Sequence, residues 1–435
     1  MRGTERDEGR LRVLIVSQYF RPERVSIPIT LADELSRRGH QVEVLTAWPN
    51  YPEGRLFPGY RQRLRHTEHH GDVVVHRVPL VVSHSTSAVG RLLNYASFAV
   101  TSALRVGPAR RADVVYVYAT QMTASVGPRL WRWLFGTPYV LHVQDLWPES
   151  VTGSGMVSGR LSDFLGRAMG PWLRDAYARA AHVVAIAPTM LEMLRERGAS
   201  RSASSVIFNW SPSDVVTPPH QDVPGASDQV GDRHGTTFVY AGNLGELQDL
   251  PTLIDAFVLC SDLPDAELLI AGAGVLEDEL RARAASHPRA RITFLGRLGV
   301  DEMKEVNARS DFQLVTLRPL EIFRGTIPSK LQNALASGTP VVTTVHGDVA
   351  RIVDRHQLGL TAPPSDVPAL ADAFRRAAAT SASERADLAG RARDFYDQHM
   401  SEAAGTDALE ALLREAAGTT SPMTSSRRTK DETRA

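Results

Sequence analysis

The sequence predicts an α/β protein of two doubly wound domains facing a central cleft. Three observations carry that reading. Short apolar runs rich in Val and Ile alternate with helical stretches along most of the chain. A segment rich in Pro, Ser and Asp, without periodicity, interrupts the series near Ser202–Asp232. The length, 435 residues, exceeds what one ordinary core fills and suits two.

The first series opens with LRVLIVSQ (Leu11–Gln18). The helix ITLADELSRRG follows, ending at Gly39, and then the strand QVEVLTA. DVVVHRVPL, DVVYVYA, PYVLHVQD and AHVVAIAP continue it, most of them separated by helices. Runs apolar at every position argue a parallel sheet covered on both faces. The second series is TTFVYAG, the helix LPTLIDAFVLC, then AELLIAGAG, RITFLG, DFQLVTL and PVVTTV. The helices ALADAFRRAAAT and RADLAGRARDFYDQH close it. The expected boundaries are an N-terminal domain over 11–200, a linker over 201–235 and a C-terminal domain over 236–395. A helix over 396–415 is expected to return to the first domain, and 416–435 to be a disordered tail.

A 43% apolar share is that of a globular protein. The 49 basic and 49 acidic residues cancel, but unevenly along the chain. Residues 1–210 hold 26 Lys+Arg against 17 Asp+Glu, a net of +9, and the remainder carries −9. A basic front half suits a polyanionic or membrane-surface partner; solvated charge scattered by Arg-rich usage is the alternative. The single cysteine, Cys260, has no intrachain partner and reads as core packing in a reducing compartment. MRGTERDEGR has no apolar stretch of a secretory signal. No run of about 18 apolar residues predicts a transmembrane helix.

In doubly wound sheets ligands bind beyond the carboxyl ends of the strands. Three turns of the second domain fall there. AGNLGELQDL offers Gly242 and Gly245 for close backbone approach and a helix start for a phosphate; an ordinary strand-to-helix turn is the alternative. AGAG, with Gly272 and Gly274, and FLGRL, with Arg297, are expected to be neighbours able to sandwich a base. FRGTIPSKLQNALASGTPVV gathers Thr326, Ser329 and Lys330 at a helix start, where an anion is favoured. No GxGxxG follows the first strand of either domain and no GxxxxGK[ST] occurs. Dinucleotide oxidoreductases and P-loop NTPases are thereby discounted.

In the first domain HVQDLWPES places His142, Asp145 and Glu149 near the expected cleft, with Trp147 as a sugar platform. Alternatively Trp147-Pro148 packs a loop and the acids cap helices. FRPERVSIP and TAWPNYPEG lie at the same edge. HTEHHGDVVVH matches no common zinc spacing and reads as a solvated loop entering a strand. Three stretches carry aromatic and Arg residues as an interfacial anchor does: VGRLLNYASFAVTSALRV, GPRLWRWLFG and RLSDFLGRAMGPWLRDAYARA. Helices covering a sheet, the commoner case, are the alternative.

Taken together, QYFRPE, LADELSRRGHQVEVLTAWPNYPEG, HVQDLWPES, GNLGELQDL and IPSKLQNALASGTPVV resemble glycosyltransferase family 4, nearest its WbuB-like subgroup. The resemblance spans about Leu11 to Glu415. It implies the GT-B fold of two Rossmann-like domains, the first for the acceptor and the second for a nucleotide-sugar donor. It implies a retaining, metal-independent transfer, usually from a UDP-linked sugar, with no separate cofactor. The implied acceptor is a polyprenyl-diphosphate-linked sugar or a saccharide, at the cytoplasmic face of the membrane; no nucleic-acid partner is implied. Gly242, Gly245 and Gln248 fall where the family approaches the donor diphosphate. Ser329 and Lys330 match its PSK element, with Lys330 holding the leaving group. His142, Asp145 and Glu149 then position the acceptor. The chain departs from the family in four places. Pro22-Glu23-Arg24-Val25 replaces a Gly-Gly pair, which gives Glu23 or Arg24 a side-chain role. Asn243 replaces an Arg whose charge Arg297 or Arg324 would supply. Gly325 and Asn333 replace paired glutamates, the second of which grips the ribose. Rival readings are a sugar-nucleotide epimerase on the same fold and a non-catalytic partner subunit.

Overall fold

A computed structural model describes residues 9–52, 54–82, 88–147, 160–211, 235–263 and 265–418. The strands of the first series are β1 (Arg12–Ser17), β2 (Gln41–Ala47), β3 (His66–His70), β4 (Val73–Val78), β5 (Val114–Ala119), β6 (Tyr139–Val143), β7 (His182–Ala185) and β8 (Ser204–Val206). Its helices are α1 (Ser26–Arg37), α2 (Ala88–Ala103), α3 (Val106–Arg111), α4 (Val126–Phe135), α5 (Arg160–Arg179) and α6 (Pro188–Glu196). They form one sheet, ordered β3-β4-β2-β1-β5-β6-β7-β8.

The centre of this sheet follows from composition. In β1 every residue but Arg12 is buried, and β5 and β6 are buried throughout. Ile15 pairs in parallel with Val44 of β2 and Tyr116 of β5. Helix α1 buries Ile27, Leu31 and Leu35 at four-residue spacing, the stripe that packs a helix on a sheet. Gly39, at φ +89°, turns the chain back into β2.

Two expectations are corrected here. The His-rich run is not a loop: His66–His70 is an antiparallel edge strand on β4. Its polar residues fit an edge, where only one side needs a partner strand. The expected linker also contains β8 at its start; most of the remaining linker, 212–234, lies outside the described residues, as does nearly all of the expected tail.

The second series is β9 (Thr237–Ala241), α7 (Leu250–Val258), β10 (Glu267–Ala271), α8 (Glu277–Ala285), β11 (Ile292–Gly296), α9 (Val300–Ala308), β12 (Phe312–Val315), α10 (Ser329–Ala336), β13 (Val341–Thr343), α11 (Asp348–His356), β14 (Gly359–Thr361), α12 (Val367–Ala378), α13 (Ala382–His399) and α14 (Glu402–Ala416). Its sheet is ordered β11-β10-β9-β12-β13-β14 and all its pairings are parallel. Phe238, Phe257, Phe312 and Phe374 make an aromatic core, with the Phe238 and Phe374 rings edge to face at 4.9 Å. Cys260 is buried beside them, just beyond α7, and burial pushes its thiol up to about 11.

The chain divides into two compact units. One takes Met1–Val183, Gly198–Ala203 and Asp407–Ala435; the other takes Val184–Arg197 and Ser204–Thr406. In the first unit α14 is held to the end of α1 by charge. Glu410 accepts from Arg38 at 2.7 Å and from Arg414 at 2.8 Å, and its other contact is His40 at 3.1 Å.

Candidate functional site

The second unit brings the strand-end turns together as the sequence requires. The Gly242 N–H donates to the Ala271 carbonyl at 2.9 Å, and the Gly272 N–H donates to the Gly296 carbonyl at 2.7 Å. These turns therefore run side by side. Gly272 and Gly274 serve that packing first. A Cβ at 272 would lie 1.8 Å from the Gly242 carbonyl oxygen, and one at 274 would lie 2.4 Å from that of Leu244.

Gly242 serves the site directly. It sits at φ +148°, a region open to glycine. A Cβ there would lie 2.5 Å from Cε of Lys330 and 2.8 Å from its Nζ. Lys330 thus lies across the bare backbone of the first turn. Its ammonium donates to Gln248 Oε1 at 2.8 Å and stands 5.0 Å from the centre of the Tyr240 ring. The Tyr240 hydroxyl donates to the Asn243 carbonyl at 2.8 Å, and the Gln248 carbonyl accepts from Thr316 Oγ1 at 2.6 Å. Each member is therefore fixed by a further bond. No Asp or Glu among the described residues pairs with Lys330, and burial pulls its pKa down to about 8. A cation held in this way, beside a helix start with no side-chain cap, is arranged for an incoming anion.

The remaining candidates of this unit fall around that centre. Ser329 is exposed at the first position of α10. Thr326 precedes it in the loop, its N–H donating to the Phe323 carbonyl at 3.2 Å. Gly245 leaves room for the Asn243 side chain, whose Nδ2 would be 2.4 Å from a Cβ there. Arg324 is paired with Glu321 at 2.9 Å, and Arg297 is exposed beyond β11. Neither is joined to Lys330 by a hydrogen bond among the described residues. Asn333, one turn into α10, accepts a 2.6 Å hydrogen bond from Ser211 on Oδ1. Sequence reasoning missed Asp348. Buried at the start of α11, it accepts from the Thr189 N–H at 2.8 Å and fastens the start of α6.

The first unit gives a different result for its candidates. His142 is wholly buried, its Nδ1 2.7 Å from the Tyr116 hydroxyl. The expectation that it faces the acceptor is corrected: β6 is covered on both faces and carries His142 inside the sheet. Asp145, three residues on, reaches solvent at the strand end. The protein around it still excludes enough water to push its carboxyl up to about 6. Burial, and less strongly the Asp145 charge, raises the hydroxyls of Tyr19 and Tyr118 nearby. Trp147 is buried, its ring 5.8 Å from that of Tyr95. It packs a loop and offers no open sugar platform. Glu149 lies outside the described residues.

Glu23 also proves structural. Buried beside β1, its two oxygens accept from the N–H groups of Phe20 at 3.0 Å and of Asn50 and Tyr51 at 2.8 Å each. It fastens the FRPERVSIP loop to TAWPNYPEG. Sequence reasoning missed a buried amide chain beside it. Gln18 donates to Asn94 at 2.7 Å and accepts from Gln121. The only signal was a Gln directly after an apolar strand. Among the described residues no cluster of His, Cys, Asp and Glu is built to hold a metal ion.

Comparison with known proteins identifies the family and the fold. The glycosyl transferase 4-like domain model matches residues 30–210, and the glycosyl transferases group 1 model matches 235–380. The chain is 26% identical over 385 residues to an Escherichia coli protein named "Putative colanic acid biosynthesis glycosyl transferase WcaI", covering 84% of this chain and 92% of that one. It is 27% identical over 311 residues to "Probable glycosyltransferase WbjE" of Pseudomonas aeruginosa, covering 70% and 75%. Among solved structures, HepE of Anabaena in complex with UDP superposes with a TM-score of 0.65 at 16% identity, over 93% of this chain and 100% of that one. Two parallel-sheet units of this kind, matched in order by the two domain models, make the chain a glycosyltransferase of family 4 with the GT-B fold.

Proposed function

We propose that this chain is a retaining transferase that takes a hexosyl or N-acetylhexosaminyl group from a UDP-linked donor. It passes that group to a lipid-linked or saccharide acceptor during assembly of a surface polysaccharide, without a metal ion or cofactor. The observation that carries the reading is the Lys330 ammonium, held over Gly242 by Gln248 and Tyr240 with no carboxylate partner among the described residues. As the bond from the anomeric carbon to the diphosphate breaks, negative charge gathers on the leaving phosphate. A fixed cation and free helix N–H groups stabilise that charge as it develops. The acceptor oxygen attacks on the same face, and its proton passes to the leaving phosphate oxygen, so no strong protein base is needed. Asp145, at the end of β6, orients the acceptor hydroxyl. The colanic acid role in the name of the E. coli relative and the UDP held by HepE support the substrate classes.

The first unit adds support for a membrane-borne acceptor. Trp133, Leu134 and Phe135 of α4 and Leu92, Leu93 and Val100 of α2 are exposed, with Arg132 exposed among them. Apolar and Arg side chains on neighbouring helices suit an interfacial contact with anionic lipid on the cytoplasmic face. Trp131, by contrast, is core, its indole N–H donating to the Ala103 carbonyl at 3.0 Å. No described helix is long and apolar enough to cross a membrane.

A calorimetric titration with UDP, followed by turnover of UDP-sugars with a polyprenyl-diphosphate-linked acceptor, tests the reading. Binding of UDP together with sugar transfer supports it. Absence of UDP binding overturns it, and conversion of the donor without acceptor favours the epimerase.

A further inference from the structure

Four tyrosines of the first unit gather around Asp145 at the carboxyl ends of its strands. Tyr19 stands two residues beyond β1, Tyr118 lies near the end of β5, and Asp145 stands two residues beyond β6. These strands are neighbours: Ser17 pairs with Tyr118, and Tyr118 with His142. Tyr51 reaches the same place from beyond β2, and Tyr95 from α2. The Tyr19 and Tyr51 rings are 4.9 Å apart. Tyr19, Tyr95 and Tyr118 each feel both the Asp145 charge and the Tyr51 hydroxyl.

Among the described residues, no hydrogen bond or ion pair engages the Asp145 carboxyl or any of the four hydroxyls. Their chain neighbours are held fast by contrast. Gln18 donates to Asn94 at 2.7 Å, so the backbone carrying Tyr19 is tied to the helix carrying Tyr95. Open donors and acceptors on a fixed frame suit a small polar ligand.

The chemistry of the cluster narrows that ligand. Arg91 bears on Tyr95. Asp145 is pushed up to about 6 by burial, with no described cation offsetting its charge. A diphosphate would be repelled by this carboxylate. Sugar hydroxyls, in contrast, donate to a carboxylate and exchange hydrogen bonds with phenols. The apolar face of a sugar ring suits an aromatic side chain. Tyr51, 49% exposed, offers such a ring, as the buried Trp147 does not.

We propose that the tyrosines around Asp145 form a saccharide subsite, in which a hexose lies on the Tyr51 ring and bonds Asp145 and the phenols through its hydroxyls. The acceptor is then recognised by its sugar and not by a lipid diphosphate. Calling that saccharide an acceptor rests on the transferase reading given above.

The test is saturation-transfer NMR of the full chain with methyl glycosides of hexoses and N-acetylhexosamines, with and without UDP. At least one glycoside is expected to bind. Tyr51→Ala should weaken it about five- to tenfold, and Asp145→Asn by about fivefold or more, the worth of a stacked face and of a charge-assisted bond. Tyr51→Phe keeps the ring and should stay within about twofold of wild type. Farnesyl diphosphate, a polyprenyl diphosphate without a sugar, should not displace the glycoside. UDP affinity, read by calorimetry, should be the same in all three variants. The subsite is overturned if no glycoside binds, if binding ignores both Tyr51→Ala and Asp145→Asn, or if farnesyl diphosphate displaces the sugar. Should Asp145→Asn not fold, the contrast between Tyr51→Ala and Tyr51→Phe decides. Glycoside binding that depends on Tyr51 in a chain that binds no UDP keeps the subsite and sinks the nucleotide-sugar reading. UDP binding without any glycoside does the reverse.

Discussion

Lys330 occupies the space that a side chain at position 242 would need. The missing Cβ of Gly242 lets the ammonium cross the turn after β9, within 2.8 Å of Gln248 Oε1. Gly242→Ala therefore tests the cation without removing it. The new methyl meets the far end of a flexible side chain, so the fold should survive with a loss of about 1–2 kcal/mol from backbone strain. Turnover is expected to fall at least tenfold as Lys330 is displaced. Wild-type turnover in a well-folded Gly242→Ala protein would contradict the assignment.

Removing the charge itself should separate stability from activity. Lys330→Met keeps the stem and deletes a half-buried ammonium that has no carboxylate partner among the described residues. An unpaired buried charge opposes folding. The melting temperature of the ligand-free protein should hold or rise by a few degrees, while turnover drops by about two to three orders of magnitude. Differential scanning calorimetry beside a transfer assay checks both halves. A marked loss of stability would mean that Lys330 is a structural residue.

The pH dependence follows from the same group. Burial lowers the Lys330 pKa to about 8 from its ordinary 10.5. Between those values the unfolded chain holds the proton and the folded one does not, so this group's contribution to stability rises with pH across the window. A bound diphosphate acts in the opposite direction and restores the charged form. UDP affinity should therefore weaken as pH climbs above about 8, and binding at pH 8.5 should take up protons. Calorimetry in two buffers of different ionisation enthalpy reads that uptake directly; identical apparent enthalpies would refute it.

Glu23 supports loop architecture, and its loss should register as instability. Glu23→Ala leaves three backbone N–H groups, at Phe20, Asn50 and Tyr51, without their acceptor. About 1–3 kcal/mol should be lost in urea unfolding, and Glu23→Gln, which keeps one oxygen, should lose less. The Glu23 carboxyl is raised above its usual range, chiefly by burial. Its charge is thus disfavoured in the fold, and its contribution to stability falls as pH rises through that range. Equal stability for wild type and Glu23→Ala would remove it from the loop-holding role.

Membrane contact has its own readout. Replacing Trp133 and Leu134 with Ser leaves the core of the first unit untouched, because both are exposed. Sedimentation with vesicles containing anionic phospholipid should show several-fold weaker binding for the double variant, at unchanged UDP affinity. Undiminished sedimentation would point away from α4 as the contact.

The two α/β series were legible because strands such as β1 and β5, buried on both faces, must be apolar at every position. That same property hid His142. A strand covered on both sides has no polar alternation to tell which residue leaves the sheet, so His142 read like its neighbour Asp145. The edge strand β3 was illegible for the opposite reason, since HTEHH carries almost no apolar signal. Lys330 could be found from its place at a helix start. Its partner Gln248 sits 82 positions away and carries no local mark. Glu23 was misread and Asp348 missed because each holds backbone N–H groups far along the chain, at Asn50 and Tyr51 and at Thr189, which periodicity does not encode.

Gly405, in the first turn of α14, carries no side chain. Its bareness seats the Trp210 ring, and the next residue, Ser211, donates to the Asn333 amide of α10. A single methyl added there would push on a buried indole, and the disturbance would surface as lost stability. Variation at this glycine would look neutral in any inventory of contact residues, yet it would disturb the packing that holds the start of α14.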